Sequence, residues 1–335
     1  MTKKLAPITY RGTYTPSRDD ERISYIDYCR ANYESNVYEI CPFAEVFKTS
    51  ENTWSMRIYA PSMPLGNWIH LIKGPEKSLL IDNGYGQGDL KGLCEKITGQ
   101  EVLCAITHNH GDHSSGSFQW DEVYCHPYCA DIVEANFTKV DAETWPTHNF
   151  CSRAIGQSYF HIEDIIPYNP NTKIIRLENH AVINLGGDYD IEMIHLGGHA
   201  PGLCAFLDKK GRVLYSGDAI LESLVPGLGI GIDMSRPRPD RPAIPHQECC
   251  DARFFRDQIT ELAKRIDEWD IVRDGHAAID TPARVVTDLC DAVNAALEDP
   301  FAYTAPVEGL FPGFIMQRGI ANCRYSDPKN LIFED

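Results

Sequence analysis

Three imidazoles and a carboxylate crowd into the six positions His108-Asn109-His110-Gly111-Asp112-His113, directly behind the apolar run Val102-Leu103-Cys104-Ala105-Ile106. The apolar run reads as a buried strand, and a core does not accommodate so many unpaired polar groups, so the strand must end there and open into a loop. Two histidines at i and i+2 of an extended segment point to the same side. Neutral imidazole together with carboxylate suits a borderline cation such as Zn²⁺. Asp112 and His113 then offer ligands to a second ion close by.

The succession of apolar strand and polar loop recurs. Ile191 to Leu196 leads into Gly197-Gly198-His199-Ala200-Pro201-Gly202, Val213 to Gly217 leads into Asp218, and Ile271 to Arg273 leads into Asp274-Gly275-His276. Taken singly, His199, Asp218 and His276 each read as a turn or core residue. Their shared placement behind strands, where α/β architectures gather binding groups, makes them candidates for the same site.

Around these points the chain organises simply. Residues 1–43, rich in tyrosine and charge with weak periodicity, read as an extension packed on the domain and outside its sheet; residues 44–335 read as one catalytic domain. Residues 44–82 read as consecutive antiparallel strands. Leu90, Leu93, Cys94 and Ile97 share one helical face, with Asp89 as cap and Gly99 as stop. A helix is expected over roughly 251–268, and a last one from Thr281, with Thr281 as N-cap and Pro282 in the first turn. The Gly- and Pro-dense stretch 226–245 reads as loop. The long spacing from His113 to His199 places an insertion near 140–185, where His148, Tyr159, Phe160, His161, Tyr168 and His180 read as solvent-facing or packed side chains before pocket walls.

Composition narrows the partners. With 48 acidic against 31 basic residues the net charge is −17, which repels a phosphate backbone and an anionic membrane alike. No nucleic acid and no membrane is expected, and a small-molecule substrate is. The one basic stretch, with Arg236, Arg238 and Arg241, reads first as a solvated Pro-rich loop and second as a pocket wall for an anionic substrate. No run of about 18 apolar residues occurs, and the N-terminus lacks the apolar core of a signal peptide. The cysteines are scattered, which fits a reducing cytoplasm. Cys125 and Cys129 flank His126 without a second Cys pair, so they read as unpaired thiols. A homo-oligomer is compatible with this composition.

In full, the chain resembles the metallo-β-lactamase superfamily, whose motifs run Asp behind a first strand, H-x-H-x-D-H, then His, Asp and His. Leu79-Leu80-Ile81-Asp82-Asn83-Gly84, residues 108–113, His199, Asp218 and His276 match in that order. The resemblance implies an α/β fold, the αββα sandwich of two mixed β-sheets flanked by helices. It also implies two divalent metal ions, zinc by default with iron or manganese as alternatives. His108, His110 and His199 would hold the first, Asp112, His113 and His276 the second, with Asp218 bridging both and Asp82 orienting ligands from behind. A hydroxide shared by the two ions would attack the carbonyl of a small ester, lactone or thioester, with Asp112 or a metal-held water protonating the leaving group. Antibiotic hydrolysis is disfavoured, because β-lactamases of this fold carry Cys or another non-carboxylate where Asp218 stands. A phosphodiesterase, or an iron-dependent oxygenase or redox enzyme resembling persulfide dioxygenases, remains the alternative.

Overall fold

The computed structural model describes residues 25–58, 67–137, 169–221, 230–231, 245–307 and 313–332. Two compact units emerge, one from the described parts of Met1–Cys125, Val133–Leu177 and Ile183–Asp190, the other from those of His126–Ile132, Glu178–Val182 and Ile191–Asp335.

The first unit is built on an eight-stranded sheet whose spatial order follows the chain: β1 (Glu34–Tyr38), β2 (Cys41–Lys48), β3 (Thr53–Ile58), β4 (Asn67–Lys73), β5 (Ser78–Ile81), β6 (Val102–Ala105), β7 (Glu122–Cys125) and β8 (Lys173–Arg176). Strands β1 to β5 run antiparallel, and β5 to β8 pair in parallel, so the sheet is mixed. The parallel half needs crossovers. One of them is α1 (Leu90–Thr98), where Asp89 accepts the Gly92 N–H, Gly99 closes the helix in the left-handed region, and Leu90, Leu93 and Cys94 are buried. Strands β4 and β5 are buried on both faces, so they read as continuous apolar runs and not as alternating ones.

One expectation changes here. Glu34–Tyr38, assigned from sequence to an extension outside the sheet, forms its edge strand β1 against β2. Of its five side chains only Val37 is fully buried, which leaves almost no alternation for a sequence to display.

The second sheet has the order β15-β14-β12-β11-β10-β9, formed by β9 (Val182–Asn184), β10 (Asp190–His195), β11 (Cys204–Asp208) and β12 (Val213–Gly217), then, beyond the two-residue β13 (Ile230–Gly231), β14 (Ile271–Asp274) and β15 (Thr281–Pro282). It too is mixed, with β12 and β14 parallel and the β10–β11–β12 pairings antiparallel. After β7 comes α2 (Pro127–Phe137), and later α3 (Ala252–Ala263) and α4 (Val285–Glu298), which pack on each other. Asp251 caps α3 by accepting the Arg253 N–H. The core of this unit joins Ile194, Leu207 and Leu214 of the sheet with Phe255, Ile259 and Leu262 of α3 and Val286, Leu289 and Val293 of α4. Two mixed sheets, each with helices, are the αββα architecture that the sequence implied.

Two local readings are corrected. Thr281 and Pro282 do not start a helix; they pair with Val272 and Ile271 as an edge strand, where a proline is tolerated, and α4 begins only at Val285 behind Arg284. Behind that helix β16 (Ala305–Val307), β17 (Gly313–Arg318) and β18 (Ala321–Tyr325) join β13 in a four-stranded sheet. The same pairing places a short strand inside the stretch read as pure loop. Arg236, Arg238 and Arg241, with His148, Tyr159, Phe160, His161 and Tyr168, lie outside the described residues. His180 is described, and it is exposed and paired with Glu192.

Candidate metal centre

In the first unit the side chains of interest stand just beyond the ends of β5 and β6. Asp82, the residue after β5, holds φ +62°, a conformation that L residues adopt only with support. The support is a buried web. The Thr107 N–H donates to Asp82 Oδ1 at 2.7 Å, and the Thr107 hydroxyl donates to the same carboxylate at 2.9–3.0 Å. His113 Nδ1 lies 2.8 Å from Asp82 Oδ2, and His108 Nδ1 lies 3.1 Å from Thr107 Oγ1.

These bonds decide the tautomers. An ionised carboxylate only accepts, so His113 carries its proton on Nδ1. The Thr107 hydroxyl spends its one proton on Asp82 and accepts from His108 Nδ1–H. Both imidazoles therefore carry their lone pair on Nε2, the nitrogen with which such a histidine binds a metal. The His108 ring lies 4.6 Å from that of His110 and 4.2 Å from that of His113, centroid to centroid. Asp112 Oδ2 is 3.6 Å from His113 Nε2. His108, Asp112 and His113 are buried and His110 is half-buried. A single helical turn, Gly111–Ser114, carries Asp112 and His113, and the Asn67 amide pins it by donating to the Asp112 carbonyl.

The second unit supplies His199, Asp218 and His276 from the loops behind β10, β12 and β14. His199 follows two glycines with φ +64° and +80°; a Cβ on Gly197 would stand 2.4 Å from the Cys249 carbonyl oxygen, and one on Gly198 would stand 2.7 Å from the Phe255 ring. Only glycine fits either place. Asp218 Oδ2 lies 3.4 Å from His199 Nε2 and 3.3 Å from His276 Nε2, so one carboxylate oxygen is flanked by two imidazole nitrogens.

Asp274 is a residue the sequence reading quoted without giving it a role. Its buried carboxylate accepts the N–H groups of His276, Ala277 and Ala278, which folds the loop under His276. Burial pushes its pKa up to about 7, against the pull of those three donors. An Asp two residues before a loop His is the signature of such an Asx turn, and that signal was available.

His108, His110, Asp112 and His113 of the first unit, and His199, Asp218 and His276 of the second, are the His and Asp side chains whose ligand atoms could hold an ion. Nitrogen and carboxylate oxygen in this proportion fit zinc, iron or manganese, and no thiolate takes part.

Comparison with known proteins agrees with this picture. The chain is 28% identical over 170 residues to "Acyl-coenzyme A thioesterase MBLAC2" of Homo sapiens and, equally, of Bos taurus, a stretch covering 46% of this chain and 58% of each relative. The chain thus matches less than two thirds of the length of these relatives. The crystal structure of a metallo-beta-lactamase from Erythrobacter litoralis superposes with a TM-score of 0.50 at 10% identity, covering 78% of this chain and 100% of that one, which speaks for the fold alone. The model of the metallo-beta-lactamase superfamily matches residues 63–251, more than half of the chain, and the chain belongs to that superfamily.

Proposed function

We propose that this protein is a dinuclear metal-dependent hydrolase of small activated carboxyl compounds, with thioesters foremost among esters, lactones and thioesters. The observation that carries the reading is the lone-pair arrangement: His108 and His113 present Nε2 because Asp82 and Thr107 occupy their other nitrogens. In the second unit one Asp218 oxygen lies 3.4 Å from His199 Nε2 and 3.3 Å from His276 Nε2. We assign His108, His110 and His199 to one ion, Asp112, His113 and His276 to the other, and Asp218 to both.

When bound, two divalent ions supply Lewis acidity and make water a competent nucleophile near neutral pH. The chain's own groups do the rest. Asp82 fixes the His113 ring so that it cannot turn its protonated nitrogen inward. Asp112 takes up the proton released by the attacking water on a carboxylate oxygen and returns it to the departing thiolate or alkoxide. Zinc is the ion we assign. A thioester substrate is supported by the thioesterase activity for which the relatives are named, and a reducing, cytoplasmic setting by cysteines scattered through a long sequence. Among the described residues no helix is long and apolar enough to cross a membrane.

The test is a panel of acyl thioesters, aryl esters, lactones and bis-aryl phosphodiesters, assayed beside metal analysis of protein purified without added metal. We expect two zinc ions per chain and turnover of the carboxyl substrates. Cleavage confined to phosphodiesters, or a single iron per chain, would overturn the proposal.

A further inference from the structure

The second unit gathers another group of imidazoles, none of them in the proposed ligand set. His126 stands between β7 and Pro127, the first residue of α2, and His195 closes β10. Their rings stack face to face, 3.8 Å apart with planes 9° from parallel. Phe254 lies against His195 at 5.6 Å, and Tyr128 meets the edges of both imidazoles. His246 stacks on Tyr128 at 3.9 Å, with its Nε2 2.9 Å from Asp131. His126 and His195 are 5% and 8% exposed.

Hydrogen bonds settle the chemistry of the stacked pair. The Pro201 carbonyl only accepts, so His195 Nε2 carries a hydrogen and donates it at 2.8 Å. The Tyr128 N–H donates to His126 Nδ1 at 3.3 Å, which leaves that nitrogen unprotonated and caps the start of α2. A proton on His126 would break this cap and charge a buried stack; burial, with His195 and His246 nearby, lowers its pKa to about 3. Burial also lowers that of His195, against the opposing effect of the Pro201 bond. Both rings are neutral at neutral pH, so they stack without repulsion.

Pro201 is two residues past His199. The loop between Leu196 and Leu203 is tied at its neck, where the Leu196 and Gly197 N–H groups share the Leu203 carbonyl, and at Gly198, whose N–H reaches the Cys249 carbonyl. At its far end it backs onto α2, where a Cβ on Gly202 would stand 2.2 Å from the Cys129 nitrogen. His195 adds a side-chain anchor to the stretch that carries His199 onward.

We propose that His195, kept flat by the His126 ring, is a positioning residue whose Nε2–H fixes the loop 197–202 and thereby the direction in which His199 presents its Nε2. This rests on the reading of His199 as a metal ligand. Groups that hold a ligand from behind set metal affinity without touching the ion.

Two substitutions separate donor from ring. His195→Phe keeps a flat ring over His126 and removes the donor, whereas His195→Gln returns an N–H near the place of Nε2 without the ring. Amide hydrogen exchange at Gly198, Gly202 and Leu203 of the metal-free proteins is to be compared with zinc affinity from competition with a chromophoric chelator. We expect H195F to speed loop exchange and to weaken one of two zinc equivalents by roughly 10–100-fold, and H195Q to recover most of both. Wild-type exchange and affinity in H195F would overturn the proposal, as would an H195Q protein that is folded but as impaired as H195F. Wild-type protein that takes up no zinc would instead defeat the ligand reading, a failure told apart by the exchange rates, which need no metal.

Discussion

Asp218 is the residue on which the two-ion reading turns, because one of its oxygens faces His199 and His276 at nearly equal distance. Losing a terminal ligand disturbs one ion, but losing a bridge frees the second ion and the spacing between them, about 3.5–4 Å in two-metal sites. Asp218→Ala is expected to bring bound zinc down toward one per chain. Groups merely behind a ligand cost 10–100-fold in activity, so kcat should fall by about two orders of magnitude or more, with KM much less affected. Asp218→Asn keeps the shape and removes the charge, and should fall between the two. Metal analysis and steady-state kinetics on folded protein check this; a fully loaded, fully active Asp218→Ala would return Asp218 to the role of turn residue.

At the scale of elements, the chain depends on glycine for two separable reasons. Gly99 and Gly198 both have positive φ, but a Cβ on Gly99 meets nothing within 4 Å, whereas one on Gly198 meets the Phe255 ring at 2.7 Å. Gly99→Ala should therefore cost only the backbone penalty, about 1–2 kcal/mol. Gly198→Ala adds overpacking to it and should cost about 1–3 kcal/mol more, read as the shift in denaturant midpoint at constant slope. Equal losses would show that the Phe255 ring yields freely. The same contrast explains what the sequence made legible. The ligand cluster, the helix cap at Asp89 and the strand before each loop are local patterns, visible within a few residues. Edge strand β1 shows almost no alternation, β15 is two residues long and contains a proline, and β13 joins β16–β18 only through β18, far along the chain. The stack of His126 on His195 has the same origin: each histidine ends a different strand, and neither position alone carries a periodic or motif signal. Asp274 is the exception, a local signal read as part of a motif and not as a support.

For the molecule as a whole, the buried imidazoles make stability depend on acid. An unfolded chain protonates His126 near the usual 6.5, while in the native protein burial, with His195 and His246 nearby, holds its pKa down to about 3. The unfolded state therefore binds more protons throughout that interval, and the contribution of His126 is complete above about pH 6.5 and is lost as pH falls toward 3. Asp274 titrates in the opposite sense, since its raised pKa makes the native state the better proton binder between 3.8 and about 7. Comparison with His126→Phe isolates the first effect. The stability of wild type relative to that variant should decline steadily from pH 6.5 to 4 in urea unfolding, and a difference independent of pH would show that His126 charges freely.

The web of Asp82, Thr107, His108 and His113 has a consequence for the life of the protein as a metal carrier. Their orientation is secured by hydrogen bonds at the ends of β5 and β6. An incoming cation would meet the rings of His108 and His113 already oriented by Thr107 and Asp82. The ion is thus a tenant of a finished building, in contrast to small domains that collapse when their zinc is withdrawn. Chelation should leave the thermal transition standing while activity disappears, and reloading should need no refolding. Which ion resides there is then settled by what the surroundings supply at the moment of exchange, and successive occupants can differ without a new chain being made.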